Sequence, residues 1–415
     1  MDIVVIGNGI AGISAAFTVR KLKQNAKVTI ISKEPTPAYS ACILANYISG
    51  EMERDRIFIK SMGDYLKENV VTELGKEVDG IDIDEMKIHM SGKKVPYDQL
   101  ILATGSLPLI PRIEGGGLKG VFTLKTIEDA DRIVAHKPQK AVVVGSGPIG
   151  IEATVALRRL GCEIDLIELL DRILPNLFDK GPSSLIQGML GEQAVGVFTG
   201  EKILNIFGED RVQGVITDRR KISCDTVIMA AGMIPDTRLA KKIPAMEMGS
   251  RGGIRVNKKM KTSIPGIFAC GDCVETEELF SGEERLNMLW HNAKQQGDIA
   301  GYNTMGVEKR YPGSFSIAGV DVFGTHAVSV GKTSSHFKDR PYDIIEKFTD
   351  RGYYRIVLVD RLFRGVQYIG PYEELGMVFT AIRRKDPVEY ILGIDGSREM
   401  LSRNPWLYRL HRYLG

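Results

Sequence analysis

Apolar and polar positions follow a pattern that occurs twice along the chain. Residues 2–34 give a β-branched run, a Gly-rich turn, a helix with apolar residues at helical spacing and a second β-rich run. Residues 140–168 repeat the same order. Each copy is typical of one β-α-β unit of a parallel sheet. Because an internal duplication fixes the architecture, the sequence predicts two similar α/β units.

Further strands complete the pattern. Residues 97–106 and 224–232 look alike, since each reads as a buried strand that ends in small residues and glycine. Residues 266–272 read as another short strand, which ends in Gly-Asp, and a helix is predicted over 287–303. Each copy therefore has its own closing strand.

The chain from Tyr311 onward differs in kind. Alternating residues over 353–359 and 365–369 predict strands, helical patterns follow, and the segment contains no nucleotide-type glycine turn. It reads as a separate α+β module. Residues 405–408 (PWLY) near its end would either form an apolar dimer contact or fill the module's own core.

Length and composition agree with several globular domains. A chain of 415 residues exceeds the roughly 250–300 residues that one core usually serves, so two or three domains are expected. The 45 glycines exceed the usual share of roughly 7% and imply many tight turns. A net charge of +3 with mixed signs leaves no basic stripe, so we expect no nucleic-acid partner.

Cysteine usage and hydropathy point to the cytoplasm. Five scattered cysteines cannot form a complete disulfide framework, which suits a reducing compartment. The first residues run directly into a strand without the pattern of a signal peptide. No apolar run of roughly 18 residues is present, so we expect no membrane partner.

The two Gly-rich turns are candidate nucleotide sites. In such a turn the first glycine permits the tight bend, the second lets a phosphate approach the backbone, and the third lets the helix pack against the strand. The diphosphate then meets free N–H groups at the positive end of the helix dipole. The candidate glycines are Gly7, Gly9 and Gly12 in the first copy and Gly145, Gly147 and Gly150 in the second.

Acidic residues after the second strand of each copy are candidate ribose ligands. An acid there accepts hydrogen bonds from ribose hydroxyls and repels a 2′-phosphate. Glu168 has this place in the second copy, which favours NADH over NADPH, although Arg158, Arg159 and Arg172 lie near it in sequence. In the first copy the equivalent position is Ser32, and we assign ribose binding to Glu34.

Together these motifs resemble the FAD-dependent pyridine nucleotide-disulfide oxidoreductase family. The two turns, residues 103–106 (ATGS), 230–232 (AAG) and 269–273 (ACGDC) occur in that family's order. The resemblance implies an α/β fold with two Rossmann-like dinucleotide-binding domains, each a three-layer ββα sandwich, the second inserted in the first. It implies FAD on residues 1–110 and 238–310, NAD on residues 111–237, and a C-terminal α+β dimerisation domain over 311–415.

The resemblance also assigns roles to matching positions. Asp272 would hydrogen-bond the ribityl or diphosphate part of FAD, with a helix N-cap as the alternative or additional role. Thr104 and Gly105 would line the adenosine side, and Val78 would touch the adenine through its backbone. The remaining candidate cofactor residues flank the motifs: Ile10, Ala11, Ala103, Ile149 and Gly232.

Cys42 is the candidate catalytic residue. Dithiol members of the family carry two cysteines four residues apart and a C-terminal His-Glu pair, and this sequence has neither. Cys42 stands where coenzyme A-disulfide reductases and NADH oxidases keep one redox cysteine. We expect a helix to begin there and to lower the thiol pKa, while the alternative is a small buried apolar residue. Ala45 and Asn46 replace the Pro and Tyr common in single-cysteine relatives, and Ile10 replaces the histidine of oxygen-reducing ones.

Other chemistry-bearing residues read as structural. Cys270 and Cys273 have Cys-x-x-Cys spacing, but no second pair exists to complete a metal site, and the resemblance places them away from the reactive flavin edge. No metal is expected. Cys162 and Cys224 read as core residues. His291 could donate a proton near the flavin, although a lone histidine is more often structural.

Three functions stay open at this point. The first is an NADH-dependent flavoenzyme that reduces a small disulfide, persulfide or peroxide through Cys42. The second is an electron-transfer subunit for a protein partner such as rubredoxin, an iron-sulfur protein or a 2-oxoacid oxidoreductase complex. The third is a flavin-binding sensor without turnover. A homodimer is expected from the resemblance, and the sequence does not separate it from a subunit of a larger assembly.

Overall fold

The computed structural model describes residues 1–349, 352–371 and 375–385. The chain divides into two compact units. The first unit comprises Met1–Leu109, Lys125–Ile127 and Met233–Phe315, and the second comprises Ile110–Leu124, Glu128–Gly232 and the chain from Ser316 onward. The C-terminal segment thus groups with the second repeat, and the three-domain division stays a prediction. None of the helices in the described residues combines the length and apolar character that crossing a membrane requires.

Strands and helices alternate at the start of each repeat, and runs of consecutive strands make up much of the remaining described chain. The strands are β1 (Asp2–Ile6), β2 (Lys27–Ser32), β3 (Val70–Leu74), β4 (Val78–Asp82), β5 (Lys87–Met90), β6 (Lys93–Pro96), β7 (Gln99–Leu102), β8 (Ser106–Pro108), β9 (Val121–Phe122), β10 (Lys140–Val144), β11 (Glu163–Glu168), β12 (Gly196–Thr199), β13 (Ile203–Gly208), β14 (Val212–Thr217), β15 (Lys221–Ser223), β16 (Thr226–Met229), β17 (Met233–Pro235), β18 (Ile254–Arg255), β19 (Ile267–Ala269), β20 (Val274–Glu277), β21 (Glu284–Arg285), β22 (Ile317–Val322), β23 (Thr325–Gly331), β24 (Asp343–Thr349), β25 (Gly352–Val359) and β26 (Leu362–Ile369). The helices are α1 (Ile10–Leu22), α2 (Leu44–Ile48), α3 (Met62–Lys67), α4 (Ile127–His136), α5 (Pro148–Arg159), α6 (Lys180–Glu192), α7 (Trp290–Thr304) and α8 (Leu375–Arg384). Short 3₁₀ turns lie at Ala41–Ile43, Arg54–Ile57, Ala240–Lys242 and Ser334–Phe337.

The first unit is built on a parallel sheet in the order β19-β7-β1-β2-β3. Alternate residues of β1 enter two different clusters: Ile3 and Val5 pack toward α1 and α7, while Val4 and Ile6 pack toward residues of β5. Both faces of a parallel sheet must be covered, which explains the continuous β-branched run. A layer of helices, the parallel sheet and the antiparallel sheet β4-β5-β6 form the three-layer ββα sandwich that was expected.

Helices α1 and α7 pack closely on one face of this sheet. A Cβ at Gly297 would come within 2.2 Å of the Ala11 carbonyl oxygen, so only glycine allows this approach. The predicted helix over 287–303 is confirmed, although it begins at Trp290.

The second unit repeats the plan with a parallel sheet in the order β12-β11-β10-β16-β9. Val142 and Val144 of β10 face a cluster that contains Val215 and Ile222 from the antiparallel sheet β13-β14-β15. Helix α5 follows β10 and buries Ile151, among other residues. The duplication read from the sequence is therefore a duplication of structure.

The described C-terminal segment forms an antiparallel sheet in the order β22-β23-β26-β25-β24, with α8 after it. The strands predicted over 353–359 and 365–369 are confirmed as parts of β25 and β26. Residues 405–408, proposed as a dimer contact or core, lie outside the described residues.

Candidate functional site

The first Gly-rich turn joins β1 to α1 and has the shape of a phosphate cradle. Gly7 has a φ of +114°, and a Cβ there would lie 2.0 Å from the Ala103 carbonyl oxygen. A Cβ at Gly12 would lie 2.0 Å from the Gly7 carbonyl oxygen, whereas one at Gly9 would have nothing within 4 Å. Gly7 and Gly12 therefore allow backbone segments to pack closely. Gly9 leaves open space beside the turn. No side chain caps the start of α1, so its N–H groups stay available to a diphosphate.

A buried hydrogen-bond chain fixes this turn to the segment after β2. The Tyr65 hydroxyl donates to Asn8 Oδ1 at 2.8 Å and accepts from the Ala38 N–H at 3.0 Å. Asn8 Nδ2 donates to the Thr36 carbonyl oxygen at 3.2 Å. Burial of the Tyr65 hydroxyl raises its pKa, so it remains a neutral donor. Sequence reasoning missed both residues, since Asn8 is the variable position of the motif and Tyr65 lies far along the chain.

The expected ribose ligand Glu34 is held in place by its own loop. The Tyr39 hydroxyl donates to Glu34 Oε2 at 2.5 Å and accepts from the Ile127 N–H at 3.1 Å. Ser32 is buried, and its hydroxyl accepts from the Glu34 N–H at 3.2 Å. Ser32 is therefore the last residue of β2, and Glu34 follows it by two residues. Val78, expected to touch the adenine, begins β4 and pairs with Met90.

The Gly-Asp segment lies beside the start of α1. A Cβ at Gly271 would meet the Ala11 Cβ at 2.8 Å. Asp272 Oδ2 accepts a hydrogen bond of 2.7 Å from the Ser106 hydroxyl, and Lys125 Nζ lies 3.8 Å from the same oxygen. The strand β20 follows Asp272, so the helix N-cap alternative is wrong.

The ATGS segment links the first turn to Asp272. Thr104 Oγ1 donates to the Asp236 carbonyl oxygen at 2.6 Å, and the Gly105 carbonyl oxygen accepts from the Asp236 N–H at 2.9 Å. Lys125 Nζ also donates to Ser106 Oγ at 3.1 Å. Lys125 places a positive charge at this candidate site, and no motif in the sequence signalled it.

The second Gly-rich turn reproduces the first. A Cβ at Gly145 would lie 2.4 Å from the Ala230 carbonyl oxygen, and one at Gly150 would lie 1.9 Å from the Gly145 carbonyl oxygen. A Cβ at Gly147 again has nothing within 4 Å. Ile149 lies in the first turn of α5, and Gly232 directly precedes β17. The residues present therefore fit two dinucleotides, one in each unit.

Glu168 lies at the end of β11, as predicted, and is buried. Its Oε2 accepts hydrogen bonds from the Ser146 N–H at 2.9 Å and the Ser146 hydroxyl at 2.5 Å, and its Oε1 accepts from the Leu170 N–H at 2.8 Å. Ser146 occupies the variable position of the second turn. Hydrogen bonds therefore join Glu168 to the second Gly-rich turn.

The three arginines near Glu168 in sequence are bound elsewhere. Arg158 Nε donates to the Gln193 carbonyl oxygen at 2.7 Å, and Arg159 pairs with Asp321 at 3.1 Å. Arg172 binds three partners of its own loop, namely Asp171 and the carbonyl oxygens of Pro175 and Phe178.

Glu152 is a further candidate for a residue that exchanges a proton, and no motif in the sequence indicated it. It lies on α5 in the second unit, two residues after Gly150, and burial raises its pKa to about 7. A carboxyl group with such a pKa exchanges a proton near neutral pH, which is common at functional sites.

Cys42 differs from the other cysteines because it is exposed. The alternative of a small buried residue is therefore wrong. The helix start expected in this segment is present: Cys42 lies in the 3₁₀ turn Ala41–Ile43, which leads into the five-residue helix α2. The remaining cysteines are buried, and burial raises their thiol pKa values: Cys162 to about 12, Cys224 to about 11, and Cys270 and Cys273 above the ordinary value.

His291 has a structural partner. Its Nε2 lies 2.9 Å from the Phe315 carbonyl oxygen, which fixes Nε2 as the protonated nitrogen and donor. Burial lowers its pKa, so the ring is neutral at pH 7. The same carbonyl accepts from Asn292 Nδ2 at 3.0 Å.

Comparison with known proteins agrees with this arrangement. The model of the pyridine nucleotide-disulphide oxidoreductase family matches residues 1–297, and the chain belongs to that family. The protein is an oxidoreductase that uses FAD and NADH.

Among curated relatives, an NADH oxidase of Methanocaldococcus jannaschii is 36% identical over 323 residues, which are 75% of this chain and 71% of that protein. An NAD(P)H coenzyme A polysulfide/persulfide reductase of Pyrococcus horikoshii is 31% identical over 338 residues, 80% of this chain and 75% of that protein. Among solved structures, an NAD-dependent persulfide reductase from A. fulgidus is 28% identical with a TM-score of 0.90, and the match covers 95% of this chain and 79% of that one.

Proposed function

We propose that the protein reduces a small disulfide or persulfide with electrons from NADH, and that Cys42 is the residue that engages the sulfur substrate. The observation that carries this proposal is the exposure of Cys42, while the other cysteines are buried with raised thiol pKa values. Relatives named as persulfide reductases and NADH oxidases support the same class of reaction.

The residues of each unit divide the binding between them. In the first unit FAD would be held by the turn from Gly7 to Gly12, by Glu34 near the ribose and by Asp272 with Lys125 near the diphosphate. In the second unit NADH would be held by the turn from Gly145 to Gly150 and by Glu168. FAD, when bound, supplies an acceptor for the hydride of NADH.

The chemistry of the thiol balances with one NADH. The Cys42 thiolate attacks one sulfur of a disulfide RSSR, which forms a mixed disulfide and releases RS⁻. Two electrons from NADH then cleave the mixed disulfide, release the second RS⁻ and restore the Cys42 thiolate. With one proton from solvent, NADH, H⁺ and RSSR give NAD⁺ and two RSH.

Rapid mixing of wild type and Cys42→Ser with NADH, followed by coenzyme A disulfide or polysulfide, tests the proposal. We expect NADH to bleach the flavin of both proteins, while turnover of the sulfur acceptors falls to background in Cys42→Ser. Ser40→Ala, in the same segment, is the matched control and should keep turnover. Equal sulfur turnover in Cys42→Ser and wild type would exclude Cys42 as the redox residue.

A second candidate function is electron transfer to a protein partner such as rubredoxin or an iron-sulfur protein. The shortness of α2 favours it, because a five-residue helix offers little dipole to activate the thiol. This function predicts that Cys42→Ser reduces such a carrier as fast as wild type does. The third function, a flavin-binding sensor without turnover, does not agree with the family, whose members are oxidoreductases. The homodimer and the cytoplasmic location expected from the sequence stay predictions.

A further inference from the structure

The tip of the β14–β15 hairpin lies at the ligand edge of the second parallel sheet. Strand β12 pairs with β11 so that Thr199 lies beside Glu168. The next residue, Gly200, donates its N–H to the Leu170 carbonyl oxygen at 2.7 Å, and Glu201 donates its N–H to the Glu168 carbonyl oxygen at 3.0 Å. Ligands of open α/β sheets bind at the carboxyl ends of the strands. Whatever lies against Gly200 is therefore close to the expected adenosine ribose.

Two consecutive arginines occupy the hairpin tip, and the side chain of the second, Arg220, is engaged in the fold. Arg220 Nε lies 3.0 Å from Oε1 of the buried Glu201, and its guanidinium stacks 4.1 Å over the Phe198 ring. The Thr217 hydroxyl donates to the same Glu201 oxygen at 2.6 Å. Glu201 and Arg220 thus form a structural pair that fixes the backbone of the tip.

Arg219 is directed to the ligand edge instead. Its Nη2 lies 3.6 Å from the position that a Cβ on Gly200 would take. Its side chain is exposed and, among residues 1–349, 352–371 and 375–385, has no carboxylate partner. The backbone N–H groups of Arg219 and Arg220 both donate to Thr217 Oγ1, at 3.1 and 2.9 Å, so the tip is rigid. The rigid turn therefore places the Arg219 guanidinium, which has no carboxylate partner among the described residues, beside the expected ribose site.

The charges near the expected ribose site are compatible with binding of a further anion. Glu168 would repel a 2′-phosphate, but its carboxylate accepts three hydrogen bonds from Ser146 and Leu170, which compensate its charge. Arg158, Arg159 and Arg172 are bound to other partners. Arginine is the side chain best suited to phosphate because its planar group donates two parallel hydrogen bonds.

We propose that Arg219 is a specificity-determining residue that binds the 2′-phosphate of NADPH, so that the second turn accepts NADPH as well as NADH. This inference rests on the proposed function, in which the second turn binds the nicotinamide dinucleotide. It adds a residue outside the Gly-rich turn and the acid, from a hairpin that no nucleotide motif marks.

Titration calorimetry on the FAD-loaded protein tests the inference with two fragments, ADP-ribose and 2′-phospho-ADP-ribose. In Arg219→Gln we expect the Kd for 2′-phospho-ADP-ribose to rise about tenfold at low salt, because the variant loses a charge-assisted hydrogen bond to a phosphate that solvent partly screens. The Kd for ADP-ribose should stay within about twofold of wild type, because ADP-ribose has no 2′-phosphate for Arg219 to bind. Arg158→Gln is the control, since it removes the same charge from an arginine bound elsewhere, and it should change neither Kd.

The outcomes separate this inference from the proposed function. If wild type binds ADP-ribose but not its 2′-phosphorylated form, or if Arg219→Gln and Arg158→Gln behave alike, the role of Arg219 is refuted while the NADH site stands. If wild type binds neither fragment, the assignment of the second turn itself is refuted. Circular dichroism of both variants checks that each has the wild-type fold.

Discussion

Gly9 is the residue at which ligand binding and folding can be separated. Gly7 and Gly12 cannot accept a Cβ because backbone carbonyl groups lie 2.0 Å from its position, whereas the space around Gly9 is open. A substitution at Gly9 therefore acts on the bound phosphate and leaves the protein's own packing unchanged.

We predict that Gly9→Ala raises the Kd for FAD by at least about tenfold, because a methyl group would occupy the space through which the diphosphate approaches the backbone. Quenching of flavin fluorescence on titration of the apoprotein gives the Kd. Gly188→Ala is the matched control, since a Cβ at that position in α6 also meets nothing within 4 Å. Equal FAD affinity of Gly9→Ala and wild type would show that the first turn is not the diphosphate site.

Glu152 should make stability depend on pH near neutrality. Its pKa of about 7 in the folded protein lies above the ordinary value of 4.5, so the folded state holds a proton that the unfolded state releases. The contribution of Glu152 to stability therefore falls as the pH rises from about 4.5 to about 7 and is constant above that range. We predict that Glu152→Gln removes this slope and raises the free energy of unfolding at pH 8 by about 1–3 kcal/mol. Urea unfolding of wild type and Glu152→Gln at pH 5 and pH 8 measures these free energies. An equal change between the two pH values in both proteins would contradict the raised pKa of Glu152.

The site could be predicted from the sequence where neighbouring residues carry the signal. Both glycine turns and Glu168 follow from local spacing, because a strand, a turn and a helix are contiguous in the chain. Tyr65 and Lys125 could not be found in this way, since Tyr65 reaches Asn8 and Lys125 reaches Asp272 only through tertiary packing. The segment around Cys42 does begin a helix, as predicted, but its first residues form a 3₁₀ turn, a detail that local propensity does not decide in a helix of five residues.

Helix α6 is attached at its first turn to the C-terminal sheet. Its N-cap residue Asp179 accepts hydrogen bonds from Ser334 Oγ at 2.8 Å, Gln367 Nε2 at 2.7 Å and Arg355 Nε at 3.1 Å. Burial opposes the charged form of Asp179, but these hydrogen bonds outweigh it and hold its pKa below the ordinary 3.8. The stability that the ionised carboxylate contributes is therefore present above about pH 4 and is lost as the pH falls through the lower native value.

We predict that Asp179→Ala lowers the free energy of unfolding by about 3 kcal/mol, because the buried Gln367 loses its acceptor and the half-buried Arg355 keeps only its pair with Glu346. Asp321→Ala removes an aspartate from the more exposed pair with Arg159 and should cost about 0.5–1 kcal/mol. Denaturant unfolding at pH 7 gives both values. A loss for Asp179→Ala no larger than that of Asp321→Ala would show that the cluster is not stabilising.

At the scale of the whole molecule, each unit carries its own candidate nucleotide site, so ligands should stabilise the units separately. We predict that removal of FAD lowers the melting temperature of the first unit, since a ligand at 100 times its Kd adds about 2.7 kcal/mol to the state that binds it. ADP-ribose should raise the transition of the second unit alone. Scanning calorimetry of apoprotein and FAD-loaded protein measures both effects, and one transition that shifts equally with either ligand would contradict separate sites.

The order of strands in the two parallel sheets has a consequence for biosynthesis. All strands of the second sheet lie between Val121 and Met229, whereas the first sheet lacks its edge strand until Ile267–Ala269 has been made. On the ribosome the chain emerges from the amino terminus, so the later repeat completes its sheet before the earlier one does. Meanwhile β7 exposes an unpaired edge on the nascent chain, and this edge is where a chaperone would be needed.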